Sequence, residues 1–153
     1  MLARLRKRYF FLLAPAASAM FAATAARALN LAGPVEPETV RILAPWLFVL
    51  AVFFAAAAPV MMRAVFAHRM RHRKSTPPPA FFRFQQQVLL VSLIAPYVAI
   101  GACLMEMPRI YQAGILLAAL YAAYYHFPTK RRLDFDRRIF RVQKTGDDAD
   151  AQK

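Results

Sequence analysis

At 153 residues, 59% of them hydrophobic and with a mean hydropathy of +0.34, the chain is too apolar for an ordinary soluble domain, which sits nearer about 45–50%. A net charge of +13 would suggest nucleic acid in a soluble protein, but here the cations stand at the ends of apolar runs, where membrane orientation accounts for them and no nucleic-acid partner is expected. The single cysteine, Cys103, excludes an intrachain disulfide.

Arg4, Arg6, Lys7 and Arg8 lead into an uncharged run of 18 residues, Tyr9 to Ala26. A charged lead, an apolar stretch and the patterns Ala23-Thr24-Ala25 and Ala26-Arg27-Ala28 are also the layout of a cleavable secretory signal. The run exceeds the usual apolar stretch of about 7–15 residues, so it reads as a retained first span over about residues 9–29. Ala14, Ser18, Ala22 and Ala26 recur every four residues and would give a smooth face for a neighbouring helix.

A polar connection follows, in which Glu36, Pro37 and Glu38 suit a first helical turn: proline needs no amide there, and carboxylates favour the positive helix end. The second span, about residues 42–62, is uncharged, enters with Pro45 and Trp46, and should kink at Pro59. Helical periodicity continues past Met62, with Val65, Phe66 and Met70 on an apolar side and Arg63, Arg69, Arg71, Arg73 and Lys74 toward water. This predicts a cytoplasmic helical extension, stopped by Ser75-Thr76 and an extended triple proline, Pro77 to Pro79. Residues 80–84, AFFRF, read as an aromatic interfacial anchor.

The third span, about residues 86–106, carries Ala95, Ala99 and Cys103 at four-residue spacing, and Pro96 within it should also disturb the helix. The connection through Pro108 and Arg109 is so brief that only an antiparallel hairpin with the fourth span, about residues 110–127, fits it. The fourth span presents Gly114, Ala118 and Ala122 and ends in an aromatic cluster, Tyr121 to Phe127, typical of a membrane interface. In the tail, residues 130–153, Phe135, Ile139 and Val142 could line one side of a short helix on the membrane surface, with Arg137, Arg138 and Arg141 toward headgroups. Its LDFD opening also permits a strand, and its polar end reads as disordered.

Eighteen Lys and Arg residues fall in the amino terminus, the central loop and the tail, against Arg27, Arg41 and Arg109 on the other side. The expected fold is therefore all-α, a four-helix transmembrane bundle with both termini cytoplasmic, its membrane domain covering residues 1–129. Sixteen Arg against five Lys, with abundant alanine, fit a GC-rich bacterial genome and hence an inner membrane.

No arrangement of residues announces chemistry. His68 and His72 share a helical face but sit among cations that oppose a metal ion, and His68 and His126 lie at different depths for a shared haem. Ser18 and Ser92 have no triad motif, and the four glycines are scattered, so no metal, cofactor or catalytic residue is expected. Glu106 is the one acid adjoining a span interior and the candidate transport acid, though a pair with Arg27, Arg41 or Arg109 explains it more simply. The expected function is a non-enzymatic accessory, assembly or interaction subunit, with a small transporter or channel component using Glu106 as the alternative. Arg63, Arg69, Arg71, Arg73, Lys74, Arg131, Arg132, Arg137 and Arg138 are the candidate contacts to anionic lipid headgroups, to another membrane protein or to a second copy.

Overall fold

The computed structural model describes residues 2–29, 31, 33, 36–71 and 75–142; His72, Arg73, Lys74 and the end of the tail lie outside them. The described chain is helical, with no strand and a single isolated bridge between Thr76 and Val142. Three helices are long and apolar enough to cross a membrane: α1 (Leu2–Ala28), α2 (Pro37–Met70) and α3 (Pro78–Leu104). Two shorter ones follow, α4 (Arg109–Tyr125) and α5 (Lys130–Ile139).

The helices alternate in direction. Arg27, at the end of α1, donates to the carbonyl of Cys103 at the end of α3, so these two run parallel. Phe66 of α2 stacks on Phe84 of α3, so α2 runs against them, and α4 returns through the hairpin at residues 105–108. Tyr9 donates its hydroxyl to the Ala123 carbonyl near the end of α4 at 2.8 Å, tying the start of α1 to the end of α4. One end of the bundle thereby gathers the start of α1, the end of α2, the start of α3 and all of α5.

Local chemistry sets the boundaries. Pro37 opens α2 behind Glu36, as the Glu-Pro-Glu triplet predicts, and the helix therefore begins five residues before the expected span. Pro59 cannot donate to the carbonyl four residues back and its ring crowds that turn; the backbone answers with a π-helical turn over Phe53–Ala57 instead of a sharp break. Pro96 acts similarly on α3, where Leu93 (ψ 0°) interrupts the regular turn and separates Pro78–Ser92 from Ile94–Leu104. The triple proline differs from expectation. Only Pro77 is extended; Pro78 and Pro79 already belong to the first turn of α3, where their missing amides cost nothing.

The core between α2, α3 and α4 is built mainly from alanine: Ala44, Ala51, Ala55, Ala95, Ala99, Ala102, Ala118 and Ala122 are all buried. Side chains this small let backbones approach closely, which is how helices associate where the surroundings are as apolar as the core. Gly114 carries this furthest, since the ring of Phe48 lies where its Cβ would be. The small-residue faces expected on the third and fourth spans are the packed ones. On α1 the expected face is not the packed one. Ala14, Ser18 and Ala22 point outward, and the buried seam is Leu5, Tyr9, Ala16 and Ala23, because the two larger side chains find partners under α3 and the tail.

Candidate functional site

The basic end of the bundle is closed by α5. Thr129 caps its start, accepting the Arg132 amide at 3.4 Å, so the strand alternative for this segment gives way to a helix. Leu133, Asp136 and Phe140, at i, i+3 and i+7, form the stripe that faces the protein. Leu133 and Phe140 join Phe66, Phe81 and Phe84 in one apolar cluster, with Phe66 and Phe84 stacked at 4.1 Å and Phe140 edge-on to Phe66 at 5.1 Å. Phe81 and Phe84, expected as interfacial anchors, are buried beneath the tail.

Asp136 sits within this apolar surface at 5% exposure. A carboxylate so placed needs compensation, and one oxygen, Oδ2, takes both donors: Gln85 Nε2 at 2.7 Å and Arg63 Nη2 at 3.3 Å. The three residues come from α5, α3 and α2, so the triad fixes the tail to both helices beneath it. A cavity of about 40 Å³, lined in part by Arg63, Gln85, His126 and Asp136, adjoins the triad and has room for about one or two waters.

The far end of α5 is secured by backbone geometry. Arg141 takes a left-handed conformation (φ 48°), the Val142 amide donates to the Arg137 carbonyl at 3.0 Å and the Arg141 amide to Arg138 at 3.3 Å, the Schellman closure that usually carries glycine. Buried Thr76 then engages what the helix leaves open, donating Oγ1 to the Phe140 carbonyl at 2.6 Å and its amide to the Arg141 carbonyl at 3.1 Å. The amino-terminal segment adds a third attachment, Arg6 Nε to the Pro128 carbonyl at 3.3 Å.

The predicted basic contacts divide by this arrangement. Arg63 is turned inward to Asp136, and Arg132 is half-buried with its guanidinium 4.3 Å from the Tyr125 ring centroid. Arg69, Arg71, Arg131 and Arg138 are exposed, and Arg137 is half-buried and engaged within the protein. Arg73 and Lys74 lie outside the described residues. Phe135 and Ile139, one turn apart, are exposed beside Arg131 and Arg138, so α5 shows an apolar pair flanked by cations on its outer face.

Glu106 lies at the opposite end, in the α3–α4 turn, with φ 51°. Arg27 is the partner it takes among the three expected; the guanidinium pairs with the carboxylate while its Nη1 donates to the Cys103 carbonyl at 2.9 Å. The pair clamps the end of α1 onto the hairpin. The sequence reasoning missed Asp136, Gln85, Thr76 and Tyr9. Asp136 did leave a signal: an acid at a strongly basic end, three residues after an apolar Leu133, is placed to serve an inward helix face. Among the described residues no group of three or more His, Cys, Asp or Glu is placed to hold a metal ion. No family model, curated protein or solved structure matches the chain.

Proposed function

We propose that the protein is a four-span bacterial inner-membrane protein with both termini cytoplasmic, acting by binding as an accessory or assembly subunit of a larger membrane complex, or as a homo-oligomer. Helix α4 is 17 residues and rises about 26 Å, short for a bilayer core of roughly 30 Å. Its pairing with α3 from the hairpin back to the level of Tyr9 supports counting it as the fourth span. The excess of Lys and Arg at the end that α5 covers supports a cytoplasmic cap.

The observation that carries the binding function is the way Asp136 holds α5. With its inner face fixed by Arg63, Gln85 and Thr76, the helix presents Arg131, Arg138, Phe135 and Ile139 outward from a rigid base, with Arg71 lining a groove beside Ile139. Cations around an apolar pair suit an acidic protein surface lying at a membrane, or the headgroup layer itself. Glu106 serves in this reading as an anchor for α1, paired to Arg27, and not as a transport acid.

Photocrosslinkers at Arg69, Arg131 and Arg138, activated in native membranes, test the function. A discrete protein adduct, either to a second copy or to another membrane protein, is expected; lipid adducts alone together with a monomer in mild detergent would overturn it. For Glu106, Glu106→Gln in reconstituted vesicles is expected to leave solute and proton flux at the parent level, and a loss of a measurable parent flux restores the transporter reading.

A further inference from the structure

A groove of about 190 Å³ runs between α1 and α3. Leu5, Phe11, Leu12, Leu89 and Leu90 form its apolar part, with buried Leu5 closing the end nearest the tail and Phe11 and Leu90 open to the surroundings. Its polar part is Arg8, which is exposed, and Gln86. The two helices are parallel, so both polar residues stand toward the basic end. Phe11 lies three residues beyond Arg8 and Leu90 four beyond Gln86, which puts the apolar part roughly 5–6 Å deeper by helix rise. The Gln86 amide nitrogen is shut off from the surroundings and has no hydrogen-bond partner among the described residues, although a shielded amide ordinarily has one.

An exposed cation toward the basic end and an apolar trough that runs deeper from it, with an unmatched amide beside them, match the phosphate and acyl levels of a glycerophospholipid. We infer that this groove holds one anionic glycerophospholipid, its phosphate on Arg8 and the first part of an acyl chain between Phe11 and Leu90, with an ester oxygen accepting from Gln86 once that side chain turns its enclosed amide toward the groove. Exposed Arg4 and Lys7, on the turn before Arg8, add to the positive field at the rim and favour a lipid with net negative charge over a zwitterionic one. This inference needs only that the bundle is membrane-embedded; it stands apart from the cap and from whatever protein the cap binds.

The groove can be read directly with a fluorophore. The native tryptophan, Trp46, lies near the start of α2 at the other end of the bundle, so Trp46→Phe with Leu90→Trp places the only indole in the groove. In vesicles of phosphatidylcholine containing a tenth phosphatidylglycerol, bromine on the upper acyl carbons of the phosphatidylglycerol alone is expected to quench that indole well above the level that its mole fraction gives. Adding Arg8→Gln should lower this selectivity at least fivefold without lowering the melting temperature. Gln86→Leu should weaken retention of the same lipid in native mass spectrometry by a similar factor. Quenching in proportion to mole fraction in parent and variant alike means an ordinary boundary lipid and overturns the inference. So does a crosslink from position 90 to a second copy, which would make the groove a helix contact.

Discussion

Arg63 and Asp136 are 73 residues apart in the chain and meet through Nη2 and Oδ2 at 3.3 Å, so the helix that leaves the bundle is tied down by the helix that the tail returns to cover. The carboxylate is nearly enclosed, the guanidinium partly open, and the amide of Gln85 shares the same oxygen. The asymmetry determines what a substitution does.

Asp136→Ala should release α5 rather than unfold the bundle. Losing the buried acceptor removes two hydrogen bonds and leaves Gln85 and Arg63 without it, a cost of about 2–3 kcal/mol. The expected outcome in hydrogen exchange is a loss of protection over residues 130–139 of roughly 30- to 150-fold, with residues 94–104 and 109–125 unchanged. A double-mutant cycle with Arg63→Ala should return a coupling of about 0.5–2 kcal/mol; strict additivity would mean that the contact carries no energy.

Glu106 occupies a conformation that glycine takes without penalty, and it remains there while pairing with Arg27. Glu106→Gln removes the charge and keeps the strain; Glu106→Gly removes both. Thermal melts in detergent should therefore rank Glu106→Gly above Glu106→Gln by about 1 kcal/mol. The reverse order would show that the amide retains the contact to Arg27 at full strength.

How far the fold could be read from sequence is best seen in α1. That a helix would form, and near which residues, follows from an uncharged run with basic flanks. Which face it buries does not follow, because alanine occurs on every side and a spacing of four marks Ala14, Ser18 and Ala22 as readily as any other set. The choice is made by Leu5 and Tyr9, whose partners come from α3, α4 and the tail and are invisible in local periodicity. The same limit hid the cap: Thr76 and Gln85 are unremarkable where they stand, Asp136 marks only an inward face of its own helix, and the tertiary fold alone brings the three together. Pro59 was legible as a disturbance, but that it would widen one turn depended on how α2 packs on its neighbours.

The two faces of α1 give a direct comparison. Ala16→Leu, at a buried position, should overpack the contact with α3 and cost about 1–3 kcal/mol, whereas Ala14→Leu, pointing outward, should lie within about 0.5 kcal/mol of the parent. Chemical denaturation in mixed micelles measures both, and equal losses would reassign the packed face.

Gly114 and Phe48 should prove coupled. An alanine Cβ at position 114 would come within 2.6 Å of Phe48 Cε2, so the ring must move before the gain in helix propensity is realised. Gly114→Ala is expected to be more favourable by about 1 kcal/mol in a Phe48→Leu background than in the parent, as read by a double-mutant cycle. Equal effects in both backgrounds would mean that the ring yields at no cost.

The contact between α5 and the end of α2 also carries a timing. Asp136 is made after Arg63, Gln85 and the whole of α4, so during insertion the central loop lacks the tail carboxylate and displays its positive charge in full. In the proposed orientation, the charge that keeps the loop in the cytoplasm is greatest while the helices choose their sides and is reduced once the choice is made. One late carboxylate thus allows the same arginine to act first as a topological signal and then as a structural fastening.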